Sequence, residues 1–172
     1  EMLNMGFRDD IDFVLKNTIN RESTWLFSAT MPPEVRAISK NYMENPKEVT
    51  VGKKNSGNVN IDHQFFVVPA SQRYEALKRL IDFNPGMYGI IFTRTKADAQ
   101  EVSERLAKSG YEIEALHGDL SQQQRDKVMG RFRSKNLQLL IATDVAARGI
   151  DVDGITHVIN FELPDDMEVY TH

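Results

Sequence analysis

The chain has 172 residues, no cysteine, a formal net charge of -4 and a pI of about 5.6. The missing cysteines exclude disulfides, thiolate metal sites and thiol nucleophiles, and the acidic balance argues against a strongly basic polyanion binder while leaving a local basic strip open. With 41% apolar and 27% charged residues the composition is that of a globular protein, and no apolar run approaches the roughly 20 residues of a membrane span.

From the N-terminus, residues 7–19 place Phe7, Ile11, Val14, Leu15 and Ile19 near helical spacing, with Asp9 and Asp10 in a first turn where the helix dipole favours carboxylates. Trp25-Leu26-Phe27 reads as a short buried strand. Pro32-Pro33-Glu34 opens a second helix with Val35, Ile38 and Tyr42 on one face, ended by Pro46. Val49-Thr50-Val51 reads as another short strand. Residues 52–58 hold two glycines and no large apolar side chain, so 52–60 is expected to be a linker between a first unit, 1–51, and a second, 61–172.

Beyond the linker the pattern is regular. Residues 64–68 read as a strand, and 73–83 as a helix with Tyr74, Leu77, Leu80 and Ile81 inward. Gly89 to Phe92 is a strand. Thr95 caps the next helix, with Asp98 three residues on, Ala99, Val102 and Leu106 inward, and Gly110 past its end. Glu112 to Leu116 is a strand; Ser121 with Gln124 makes a capping box for a helix that buries Val128, Met129 and Phe132. Leu137 to Ala142 and His157 to Phe161 are the last strands. Strands alternating with helices of this length predict an α/β fold with a parallel sheet.

Open parallel sheets bind ligands at the carboxyl ends of their strands. There the sequence places Thr93, Arg94 and Thr95, then His117, Gly118 and Asp119, then Thr143, Asp144, Arg148, Gly149 and Asp151. Hydroxyls, guanidinium groups, helix N-terminal amides and a carboxylate suit phosphates and sugar hydroxyls. Neither G-x-x-x-x-G-K-[ST] nor G-x-G-x-x-G occurs, so these 172 residues hold no P-loop and no dinucleotide fingerprint. The four histidines have no metal spacing, and Asp151-Val152-Asp153-Gly154 lacks the rest of a calcium loop.

Several of these segments together resemble a known family. Ser28-Ala29-Thr30 resembles helicase motif III, and Ile90 to Thr95 resembles motif IV. Leu116-His117-Gly118 with Gln122 and Arg125 resembles the H-G and Q-x-x-R elements. Residues 142–151, Ala-Thr-Asp-Val-Ala-Ala-Arg-Gly-Ile-Asp, resemble motif V, and Glu1 to Phe7 resemble the segment after the D-E-A-D box. Five motifs in family order across the whole chain identify it as similar to the DEAD-box ATP-dependent RNA helicases of bacterial type. The resemblance implies RecA-like domains, with residues 1–51 the end of the first and 61–172 most of the second. The P-loop and D-E-A-D would precede Glu1, and the arginine fingers of motif VI would follow His172.

The resemblance also assigns roles. Ser28 and Thr30 would couple the ATP site to strand separation; as plain residues they read as a strand end and a helix cap. Arg94, Thr95, Gly118, Gln122, Arg125 and Thr143 would contact RNA, although Arg94 taken alone is a solvated charge and Gln122 and Arg125 are ordinary first-turn residues. His117 reads as structural. Asp144 and Arg148 would order the motif V loop and the interdomain face, and Gly149 and Asp151 would meet the ATP ribose. ATP and Mg²⁺ would be held mainly outside these residues. RNA would be bound without regard to sequence, ribosomal or RNA-decay proteins are admitted as partners that the sequence does not specify, and the location would be cytoplasmic. The residues alone leave two other classes open. One is a non-enzymatic RecA-like binding module. The other is a dinucleotide enzyme, against which the missing G-x-G-x-x-G argues.

Overall fold

The computed structural model describes residues 6–28, 31, 33–51, 60–165 and 170, and divides the chain into two units, Glu1–Asp62 and His63–His172. The expected helix-capping Thr30, most of the expected linker and the first five residues lie outside the described residues.

The first unit contains α1 (Arg8–Asn17) and α2 (Pro33–Tyr42). Asp9 and Asp10 occupy the first turn of α1 and Lys16 its last, each sign where the dipole favours it. No residue of α1 is buried. The two strands expected here do not form. Residues 25–27 and 49–51 carry no strand pairing, and Trp25, Phe27 and Val51 are exposed. An apolar run becomes a strand only beside a ladder partner, and the described residues of this unit offer none.

The second unit is a three-layer α/β domain. A 3-10 turn, Ala70–Gln72, leads into α3 (Arg73–Phe83), followed by β1 (Gly89–Thr93), α4 (Lys96–Lys108), β2 (Ile113–Leu116), α5 (Gln122–Arg133), β3 (Leu139–Thr143), the single turn α6 (Asp144–Ala147) and β4 (His157–Asn160). All three strand pairs are parallel, in the order β2-β3-β1-β4. The expected strand at 64–68 is absent. Phe65 and Val67 are 87% and 91% exposed, and the ladder runs from β2 to β4 without them.

Both faces of the sheet are covered, which explains why β1 and β3 are nearly continuous apolar runs rather than alternating ones. Ile91, Leu139 and Ile141 pack against Leu77 and Ile81 of α3 and Ala99, Val102 and Leu106 of α4. Ile90, Leu140, Ala142 and Leu116 pack on the opposite face against Val128 and Phe132 of α5 and Ala146 of α6. The Tyr88 ring stacks on Phe132, 4.6 Å between centroids, and its hydroxyl donates to the Phe132 carbonyl at 2.7 Å, so one side chain satisfies its polar end while filling the core. Gly89 stands where β1 meets β4: a Cβ there would lie 2.6 Å from the His157 carbonyl oxygen. This packing sets the carboxyl ends of β1 and β3 side by side, with Thr93 in register with Thr143.

Candidate nucleic-acid interface

The loop after β1 is built by its own hydroxyls. Thr93, 4% exposed, donates from Oγ1 to the Thr95 carbonyl at 3.2 Å. Thr95 then takes an extended backbone and accepts the Asp98 amide at 3.1 Å as the N-cap of α4. The Thr95 hydroxyl also donates to the Asp98 carboxylate. What Thr95 presents to a ligand is therefore the amide end of a 13-residue helix rather than its hydroxyl. Arg94 is half exposed, and its guanidinium is ion-paired with Asp165, in the segment after β4.

After β2, His117 is buried and contacts the Gln100 side-chain oxygen of α4 through Nε2 at 3.2 Å. Gly118 is exposed, and nothing lies within 4 Å of where its Cβ would stand. Its bareness serves no packing within the chain and leaves the backbone open to approach from outside. Lys96 meets Asp119 at 2.8 Å and fastens this loop to the start of α4. The Lys96 ammonium holds the Asp119 carboxyl below the usual carboxylate range by hydrogen bonding. The capping box of α5 forms in full: Ser121 Oγ accepts the Gln124 amide at 3.3 Å, and Gln124 Oε1 accepts the Ser121 amide at 2.8 Å.

Two expected contact residues are engaged within the domain. Gln122 donates to Asp126 at 2.8 Å, and Arg125 donates to the Ala146 carbonyl at 3.0 Å. The latter bond ties α5 to the loop after β3. Thr143 ends β3 and caps α6 by position, with no side-chain cap bond. Arg148 donates to Asp144 at 2.9 Å across the turn, and Gly149 reverses the chain at φ +73° with no atom near its would-be Cβ. Asp151 follows, exposed.

The structure thus brings Arg94, Thr95, Gly118, Gln122, Arg125, Thr143, Asp144 and Arg148 to loops and helix starts at one edge of the second unit, with Gly149 and Asp151 on the loop that continues from it. Ser28 lies in the first unit and is exposed. The sequence reading missed Lys96, Gln100 and Asp165. Lys96 stands directly after Arg94 and Thr95 and was legible by position. Gln100 and Asp165 reach the edge only through tertiary placement. The cations at this edge are met by the chain's own acceptors, so the expected strip is a row of matched charges rather than a bare basic patch.

The exposed Asp151 carboxylate and the open, left-handed Gly149 fit a ribose hydroxyl approaching along the loop. For Mg²⁺ the fit fails: among the described residues no group of three or more His, Cys, Asp or Glu could hold a metal ion. Nor is any helix among them long and apolar enough to cross a membrane.

A model of the helicase conserved C-terminal domain matches residues 72–172. ATP-dependent RNA helicase CshA of Limosilactobacillus reuteri is 41% identical over 172 residues, which is 100% of this chain and 35% of that protein. The chain spans about a third of the length of the curated relatives it matches. Among solved structures, a DEAD box protein from the hyperthermophile Methanococcus jannaschii is 42% identical, with a TM-score of 0.64 over 99% of this chain and 46% of that one. Dbp5 of S. cerevisiae bound to RNA and ADP BeF3 is 28% identical, with a TM-score of 0.88 over 96% of this chain and 44% of that one.

Proposed function

The chain belongs to the DEAD-box helicase family, and from that premise we propose that the edge formed by the loops after β1, β2 and β3 binds the RNA backbone as half of an ATP-driven RNA-unwinding or remodelling cleft. One observation carries this reading. Gly118 is an open backbone position that packing among the described residues does not require, Gly149 makes a left-handed turn with nothing described near its would-be Cβ, and both stand among Arg94, Lys96, the amide ends of α4 and α5, and Thr143. Such a set reads phosphate and sugar rather than base edges, which makes binding indifferent to sequence, and contacts to 2′-hydroxyls would favour RNA over DNA. The solved structure of Dbp5 bound to RNA supports the choice of ligand.

In this reading residues 1–51 are the end of a first RecA-like domain, 52–60 the linker and 61–172 the second domain. Ser28 and Thr30 relay the state of the ATP site, and Asp144 with Arg148 shapes the loop that carries Gly149 and Asp151. ATP supplies the energy of the cycle when bound, and this chain's share is the ribose contact from Asp151 with Gly149 beside it; Mg²⁺ and the phosphates are held mainly by residues outside these 172. The bacterial RNA helicase relatives support a cytoplasmic location. Since the sequence holds no P-loop, the isolated chain is expected to release no phosphate from ATP, with or without RNA.

The test is a titration of the isotope-labelled chain with a short single-stranded RNA of mixed sequence. Backbone amide shifts should concentrate at 93–96, 117–121 and 143–149. Shifts concentrated elsewhere in the second unit would overturn the reading.

A further inference from the structure

A second groove lies outside that edge, along the open side of β2. In the order β2-β3-β1-β4, β2 has one strand neighbour among the described residues. The Leu139 amide donates to the Glu112 carbonyl at 3.0 Å. Parallel strands bond through alternate residues, so Glu112, Glu114 and Leu116 carry the ladder to β3 while Ile113 and Ala115 turn their N–H and C=O outward. Those outward groups form a floor between two helices. From one face α4 presents Gln100, Ser103, Glu104 and Ala107, and from the other α5 presents Gln124, Lys127, Val128 and Arg131. Each set is a single i, i+3, i+4, i+7 stripe. The groove they border with the edge of β2 is open to solvent and has a volume of about 340 Å³.

We propose that this groove accepts one extended segment of a partner protein, added to β2 as a fifth strand. Main-chain bonding to an unpaired sheet edge supplies the attachment, and the two helix stripes read alternate side chains. The walls differ in charge. Glu104 stands on the α4 wall and Lys127 on the α5 wall, while Arg131 is already ion-paired with Glu114 of the floor. A fitting segment therefore carries a basic residue facing α4 and an acidic one facing α5, at alternating positions. A second copy of this chain does not fit. Antiparallel pairing through β2 sets α4 against α4 and α5 against α5, so the wall carrying Glu104 would meet its own copy and so would the wall carrying Lys127. Nucleic acid is not favoured either, because Glu104 and Glu114 balance Lys127 and Arg131 along the groove and leave a polyanion no net attraction. Apart from Gln124, in the first turn of α5, and Gln100, which also contacts His117, the groove uses the middle and last turns of both helices, whereas the RNA-facing edge uses their starts, so this proposal does not depend on RNA binding there.

The test uses the full chain and a labelled peptide, Thr-Val-Lys-Glu-Lys-Val-Thr, which places lysines on one face of a strand and glutamate on the other. Saturable binding should slow hydrogen exchange at the amides of Ile113 and Ala115. Ala115→Pro removes an outward donor and spares the ladder residues Glu114 and Leu116, so it should weaken the peptide about two- to tenfold, the effect of one hydrogen bond. Lys127→Glu, which leaves the strand untouched, should weaken this peptide and strengthen its charge-inverted counterpart, Thr-Val-Glu-Lys-Glu-Val-Thr. The proposal is overturned by no saturation up to about 1 mM, or by equal affinity in both variants. Protection of other amides would also overturn it. So would protection of these two amides by single-stranded RNA or by self-association of the chain.

Discussion

Arg94 illustrates how a residue can be well placed for a ligand and still be engaged. Its guanidinium stands at the end of β1, where a phosphate would pass, yet it is paired with Asp165. Both side chains are largely exposed, so the pair is held weakly and RNA can displace the carboxylate. Asp165→Asn should therefore raise RNA affinity about two- to fivefold at low salt and leave thermal stability unchanged. Fluorescence anisotropy with a labelled single strand would show this, and an unchanged affinity would mean that Asp165 does not compete for Arg94. In the proposed function Asp151 would make a different kind of contact, one that forms when the cleft closes on nucleotide. In the longer parent protein, Asp151→Ala should lower ATP-dependent unwinding while nucleotide-free RNA binding stays near its original strength. Equal loss of both would point to collapse of the loop around Gly149.

Elements differ in how much of their fate is local. The helices α3, α4 and α5 form where capping and periodicity put them, because Thr95, the Ser121–Gln124 box and the inward stripes act within a few residues. Strands depend on neighbours. Gly89 to Phe92 and Leu139 to Ala142 pair with each other and are buried on both faces, so their continuous apolar runs were legible. Residues 25–27, 49–51 and 64–68 have similar composition but no ladder partner among the described residues, and they remain exposed. The candidate site divides in the same way. Its loops follow strand ends and could be read from sequence, whereas the Arg125–Ala146, His117–Gln100 and Arg94–Asp165 contacts join residues 17 to 71 positions apart. A close strand contact lies at Gly89, which no motif marks. Gly89→Ala would push a methyl carbon against the His157 carbonyl and should cost about 1–3 kcal/mol by forcing β1 and β4 apart. A thermal melt with an unchanged midpoint would contradict that packing.

At the scale of the whole chain, the net charge of -4 gives RNA no general attraction, and most cations of the edge already have acceptors. In the proposed function, binding would come from a small number of phosphate contacts made by displacing those acceptors. It should be weak, because the chain spans about a third of its relatives. With about two or three phosphates engaged, the salt slope for a single strand should be roughly -2, a loss of about ten- to twentyfold between 50 and 200 mM salt. Arg94→Ala should lower affinity equally for all sequences and make the slope shallower by up to about 0.7. The measurement that tests the account most directly is this titration, RNA affinity against salt for the unaltered chain and for Arg94→Ala. The account predicts a slope near -2 that becomes shallower in the variant. Affinity that ignores salt, or that separates strongly between base sequences, would contradict a phosphate-backbone site at the carboxyl edge.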